Sequence, residues 1–499
     1  MDYITIKNNQ RIAFAEIPVL DYAAFYKVLT DNLLIKPEAH CVNYYGVPSD
    51  KGVQLICCIA DDETHTINVL STIVSKSDTL QSVTATYPAF QLFEREIHEN
   101  FGIGFSGHPW LKPVRYPHNA ADKSQTIANY PFYQVDSEEL HEVGVGPIHA
   151  GIIEPGHFRF ICNGEQILHL EIQLGYQHRG IESLFLQKTK LLQRATLAEN
   201  IAGDTVIGHS TAFANVWESL CGFEPSRQLQ LERALALEQE RTAIHTGDLS
   251  GICTDIAYQL GNSVFGRLRT PLINYFQRWA GNRFAKGLIR PGKTNFPFTP
   301  DLRDQWHSTI EAYKPDFIEM AEQTFDLPSV LSRLEQTGRV APETARAIGM
   351  VGMAARASSV PRDVRASHPW GYYNDVSYQP VTEPVGDVYC RARIRYDEVL
   401  RSIDMMSQII DSMDYKSSSA DALDKVAANS FVVSLVEGWR GEICHCAITD
   451  AQGNLLHYKI KDPSFHNWLG LALAVRNNEI SDFPICNKSF DLSYSGHDL

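Results

Sequence analysis

No stretch of roughly 18 apolar residues occurs in this 499-residue sequence, so no membrane-spanning helix is expected. The start, Met1 to Lys7, lacks a basic segment followed by an apolar one, and no secretory signal is read there. Basic residues are in short supply. The 44 Lys and Arg against 59 Asp and Glu give a net charge of −15, which disfavours nucleic acid as a partner. Cysteine is present but never as a CxxC pair. The closest groupings, Cys57-Cys58 and Cys444-His445-Cys446, lack a second pair at zinc or iron-sulfur spacing, so buried thiols in a reducing compartment are expected. A Walker A loop, HExxH and GxSxG are also missing, which removes the strongest cues for nucleotide hydrolysis, zinc proteolysis and serine-hydrolase chemistry.

What is there reads as an ordinary globular chain. Apolar residues make up 44% and charged residues 21%, enough to bury a sizeable core, and the length suggests two to four domains at roughly 100–200 residues each. Alternation predicts strands around Ile4 and Ile6, around Ile12 and Phe14, and over Val53 to Ile59, with a helix from Tyr22 to Leu29 between them. The polar stretch 119–139 reads as a linker. From Ser183 the chain turns helical, with good helix formers from Arg227 to Glu238 and an apolar stripe from Val399 to Met413. Asp450-Ala451-Gln452-Gly453 marks a hairpin between two late strands. Gly102 to Gly107 fits GxGxxG, but it follows a charged helical segment and runs into His108-Pro109, the wrong context for a dinucleotide.

The densest chemistry lies in Gly146-Pro147-Ile148-His149-Ala150-Gly151 through Glu154-Pro155-Gly156-His157-Phe158-Arg159, and in Gly175-Tyr176-Gln177-His178-Arg179-Gly180-Ile181-Glu182. So many ionisable side chains among glycines suit a polar pocket better than a plain strand pair.

These segments resemble the N-terminal signature of nickel-iron hydrogenase large subunits and of their relative, the quinone-site subunit of complex I, in the formate-hydrogenlyase-type branch. Phe93-Glu94-Arg95-Glu96 through Asn100 to Pro109 resembles the companion peripheral-arm subunit of complex I, which that branch fuses ahead of the large subunit. The resemblance implies an α+β fold. Residues 1–118 would form an α/β sandwich-like domain, followed by the linker 119–139, and 140–499 a mostly helical hydrogenase-type domain with peripheral strands at 143–174 and 432–460.

In a hydrogenase of this family four thiolates hold the metals, two from RxCGxCxxxH and two from DPCxxC. The matching positions here carry Ala202 and Thr205 in Asn200 to His209, and Ser464 and Asn467 in Asp462 to Asn467. An alanine cannot coordinate, and neutral Ser, Thr and Asn are poor ligands for low-valent nickel and iron, so no metal is expected. Groups that surround such a centre still have matches: Glu154, His209, Arg440 and Asp462. They are the candidate catalytic residues, either as proton carriers or as structural relics in which Arg440 pairs with Asp462 or Glu154. His149 falls in the stretch matching the quinone-site histidine segment, and His178 and Arg179 in the one that lies beside an iron-sulfur cluster of the partner.

The resemblance thus implies an oxidoreductase subunit that binds no cofactor of its own beyond a possible quinone. Its partners would be a small iron-sulfur subunit and a membrane arm, at the cytoplasmic side of the cell membrane. A non-catalytic coupling subunit is the alternative.

Overall fold

The computed structural model describes residues 2–150, 153–416 and 423–499. Gly151 and Ile152 of the dense stretch lie outside the described residues.

Alternating β-branched and aromatic residues build an antiparallel sheet in the order Ile4–Ile6, Thr66–Val74, Gly52–Asp61, Ala39–Ser49, with the short strand Val19–Leu20 parallel beside Thr66–Val74. Its two faces are both covered. On one, Tyr44, Leu55 and Cys57 pack with Phe25 of helix Tyr22–Lys27 and with Phe93 and Ile97 of helix Gln91–Phe101. On the other, Val42, Ile56, Cys58 and Val69 pack against Phe431, Val433, Cys444 and Cys446 of a second sheet. That sheet runs Leu455–Lys461, Glu442–Thr449, Ser430–Glu437, Ile12–Ala13. It is therefore completed by an early strand: Phe431 pairs with Ile12 and Ser430 with Ala13.

Every residue of strands Ser430–Glu437 and Glu442–Thr449 is buried. The late strands, expected at the edge of the helical part, lie between layers, with helix Val206–Cys221 on their far side through Phe213 and Val216. A larger core follows, formed by helices Arg227–Asp255, Gln259–Ala280, Pro300–Asp326 and Val388–Asp411. The fold is mixed α+β. Residues 119–139 are mostly exposed and hold one 3₁₀ turn, Ile127–Asn129. A three-stranded sheet, His141–Val145, His157–Asn163 and Gln166–Gln173, carries the dense segment at its first hairpin.

Candidate functional site

Arg440 sits at the tip of the hairpin Gly438-Trp439-Arg440-Gly441, closed by Gly438 N–H to Gly441 O at 2.9 Å and Gly441 N–H to Gly438 O at 3.1 Å. Its guanidinium lies over the Trp439 ring, 3.9 Å from the centroid. Two fixed donors then grip one acid, as Nη1 and Nη2 donate to the two Asp204 oxygens at 2.6 and 2.7 Å. Nη1 also donates to Thr205 Oγ1 at 3.0 Å, and the Trp439 indole N–H holds the Asp204 carbonyl at 3.0 Å. Burial pulls the Arg440 pKa down, but the Asp204 carboxylate outweighs it, with Asp491 and Asp462 adding to the pull, and the guanidinium stays charged. The expected partners of Arg440, Asp462 or Glu154, are thereby corrected: a bidentate carboxylate one loop away fits the guanidinium fork, and Asp204 supplies it.

Asp462 belongs to a second, adjoining group. It closes strand Leu455–Lys461, and its Oδ1 accepts the N–H of Ser464 at 2.8 Å at the start of helix Ser464–Ala474. Oδ2 lies 3.0 Å from His209 Nε2, His209 Nδ1 lies 3.1 Å from His445 Nε2, and His445 Nδ1 lies 2.8 Å from the Tyr458 hydroxyl. None of these four is more than 1% exposed. Burial raises the Asp462 pKa, and it is the His209 hydrogen bond and charge, with Arg440 behind them, that bring it below the ordinary carboxylate value. Burial also drives His445 well below its ordinary value, helped by His209, so His445 is neutral.

His209 is placed by the first turn of helix Val206–Cys221. Glu240, from the neighbouring long helix, caps that turn by accepting Ile207 N–H at 2.8 Å and Gly208 N–H at 3.2 Å. Burial pushes the Glu240 carboxyl up to about 8, with Asp204 adding to the rise against those two N–H groups. The hairpin of Arg440 is held from behind by a wholly buried set of charges. Arg241 donates to the carbonyls of Glu437 and Gly438, at 2.8 and 3.1 Å, and Arg356 bridges Glu437 and Glu398 at 2.7 and 2.5 Å.

Glu154, His149, His178 and Arg179 converge on one stretch of chain, 491–499. Glu154 Oε2 accepts the Ser495 N–H at 3.0 Å. Next to it, Gly496 packs so close to Asp462 that a Cβ would stand 2.6 Å from its Cγ. Arg440 Nε donates to the Asp491 carbonyl. Arg179 donates to the carbonyls of Ser495 and Ile201 at 2.8 and 2.9 Å, and His178 Nδ1 to that of Asp498 at 2.8 Å. The Asp498 carboxylate accepts the Gly175 and Gln177 N–H groups at 2.9 and 2.8 Å. His149 Nε2 lies 3.5 Å from the Tyr494 hydroxyl, within an aromatic box of Phe158, Trp468 and Tyr494. Sequence reading missed Asp204, Glu240, His445, Tyr458 and this whole segment. Asp204 lies inside the run matched to two of the thiolates, but at a position to which that match assigns no chemistry.

The four positions matched to metal ligands do not fit a nickel-iron centre. Ala202 has no donor atom, Thr205 is engaged by Arg440, Ser464 Oγ accepts the Ser493 N–H at 2.9 Å, and Asn467 is paired both ways with the Val351 backbone at 3.1 and 3.0 Å. Neutral hydroxyl and amide groups already spent on hydrogen bonds are not a thiolate set.

Comparison with known proteins adds the following. The family of respiratory-chain NADH dehydrogenase 30 Kd subunits matches residues 21–125, and that of the 49 Kd subunits matches residues 260–430. Formate hydrogenlyase subunit 5 of Escherichia coli (strain K12) is 26% identical over 510 residues, covering 99% of this chain and 88% of that protein. Hydrogenase-4 component G of the same organism is 25% identical, over 86% of this chain and 77% of its own length. The C/D subunit of the NADH-quinone oxidoreductase of Phocaeicola vulgatus is 25% identical, over 83% of this chain and 85% of its own length.

Proposed function

Because this chain is a complex I 30 kDa-type domain fused ahead of a 49 kDa-type domain, related to soluble-arm subunits of complex I and of group 4 hydrogenases, we propose that it couples electron transfer to ion translocation or quinone reduction. It would do so as a peripheral subunit of a membrane-bound respiratory complex, on the cytoplasmic side, without a nickel-iron centre. Electrons would arrive from an iron-sulfur cluster in a partner subunit near His178 and Arg179. Among the described residues no helix is long and apolar enough to cross a membrane, so the membrane arm would be contributed by other chains.

The observation that carries this reading is the pair of adjoining groups, the partly exposed Asp204 with buried Arg440 and the wholly buried Asp462 with His209, set around the positions matched to metal ligands. Charge kept in a dry interior is costly unless it is partnered, and partnered groups of alternating acid and imidazole can pass a proton along. Glu154, half-buried beside the same segment, offers a way in for protons. The test uses the intact complex in sealed vesicles. Glu154→Gln keeps the shape but cannot carry a proton, so ion translocation linked to turnover should be lost while assembly stays normal. A silent substitution would leave the non-catalytic coupling role as the better reading.

The quinone form of the proposal rests on His149 and Tyr494, an imidazole and a phenol within an aromatic box. A quinone head needs a hydrogen-bond donor at the end of a dry channel. A photoreactive quinone should then label the His149 segment, and Tyr494→Phe should weaken labelling. Labelling elsewhere would remove it.

A further inference from the structure

The buried chain Asp462, His209, His445, Tyr458 has a direction as well as a length. At one end the Asp462 carboxylate only accepts, and it faces His209 Nε2 at 3.0 Å. At the other end burial, with the thiols of Cys446 and Cys444 adding to it, holds the Tyr458 phenol well above its ordinary value, so the hydroxyl keeps its hydrogen. Among the described residues, His445 Nδ1 at 2.8 Å is the one partner of that hydroxyl. The two side chains are fixed on one face of paired strands, since Ala447 pairs with Tyr458 and His445 with Ile460. The Tyr458 ring is stacked on Phe185, with centroids 4.3 Å apart, and meets the His445 ring edge-on.

Two proton arrangements fit these contacts. With His209 neutral, the Tyr458 hydroxyl donates to His445 Nδ1, His445 Nε2–H to His209 Nδ1 and His209 Nε2–H to Asp462, and no hydrogen is left over. With a second proton on His209, its Nδ1 must donate to His445 Nε2. His445 then carries its own hydrogen on Nδ1 and donates to the phenol oxygen, which strands the Tyr458 hydrogen in a dry place with nothing to accept it. The two ends therefore pull against each other. The Asp462 carboxylate draws a second proton onto His209, and Tyr458, acting through His445, resists it. Arg440, itself partnered by Asp204, stands behind Asp462 and tempers the pull, while Glu240 caps the turn that carries His209.

We propose that Tyr458 and His445 are positioning residues that keep His209 able to give its second proton back, so that His209 and Asp462 exchange a proton instead of forming a permanent ion pair. As a step in proton transfer this rests on the function proposed above; as a property of the four linked side chains it does not. The test is made on the full chain at rest, so its outcome is separate from that of Glu154→Gln in the complex. Protein with isotope-labelled histidine nitrogens is titrated between about pH 5 and 9 by NMR, which tells Nδ1–H from Nε2–H. The two rings are assigned by the signals missing in His209→Gln and His445→Gln. The expected result is that the His445 hydrogen moves from Nε2 to Nδ1 over the same pH interval in which His209 gains its second proton. Tyr458→Phe keeps the stacked ring but leaves His445 Nδ1 bare in the neutral arrangement, so at a given pH the ratio of charged to neutral His209 should rise about tenfold. A merely structural Tyr458 would change stability and leave that ratio alone. Should Tyr458→Phe fail to fold, the linked titration of the wild type decides by itself. The proposal is overturned by a His445 that keeps one tautomer while His209 titrates, by a His209 that does not titrate in this range, or by a ratio that is unchanged or lower in Tyr458→Phe.

Discussion

Two acids close to the site carry opposite lessons about charge. Glu240 is held up to about 8 by burial, so between about pH 4.5 and 8 the folded chain keeps a proton that the unfolded chain has released. Glu240 therefore contributes stability at low pH that is lost as pH rises through 8. Glu240→Gln removes that dependence, so the variant should gain on the wild type by a few kcal/mol between pH 5 and 9, read from urea melts at each pH. A constant gap would mean that Glu240 is ionised throughout. Asp204 works the other way, because its charge is needed to partner Arg440. Breaking a fully buried pair costs about 3–5 kcal/mol, but the Asp204 side chain is 36% exposed, so Asp204→Asn should cost only about 1–3 kcal/mol in the same melts. Arg440, His209, Asp462 and Glu154 were singled out because their segments resemble those that surround the metal centre in the hydrogenase family. Asp204 was not, because in the matched run it occupies a position with no assigned chemistry, and its value appears only when a hairpin more than two hundred residues away meets it.

Some elements were legible even though they are buried on both faces. The strands Gly52–Asp61 and Glu442–Thr449 and the helix Gln91–Phe101 follow from alternation or helical spacing. The long helix Arg227–Asp255 was readable only in its first part, because Glu238, Arg241 and His245 look like a solvated face and are in fact buried in the ion network. A charged core defeats any pattern that equates charge with water. The segment 491–499 has no periodicity at all, and it is shaped by the groups it links. Close approach also fixes elements here. Gly352, at φ +68°, meets the Arg440 hairpin, and a Cβ would stand 2.1 Å from the Arg440 carbonyl oxygen and 2.2 Å from Gly441 Cα. Gly352→Ala should therefore cost at least about 2 kcal/mol from backbone strain and overlap together. Because it pushes on the hairpin, its cost should add less than fully to that of Asp204→Asn in a double-mutant cycle. Full additivity would mean that the hairpin does not move.

At the scale of the whole molecule, the linker 119–139 is the expected point of first cleavage. It is exposed, it forms no strand, and limited proteolysis of the folded chain should nick it before the helices at 183–250. Early cleavage among those helices would put the division elsewhere. A division there is expected from the change in composition, but composition does not show the contacts that cross it. Strand Ile12–Ala13 looks like part of the first sheet and pairs instead with Ser430–Glu437, since its partner lies too far along the chain for any local pattern to indicate. That pairing has a consequence for synthesis on the ribosome. The face made of Ile56, Cys58 and Val69 has no cover until the strands near Phe431 and Cys444 have been made, roughly four hundred residues later than Ile12, and so the early sheet must wait with one greasy side open. During that interval it is a natural client for a chaperone, and a ribosome stalled between the linker and residue 430 should hold a nascent chain that a holdase can still grip.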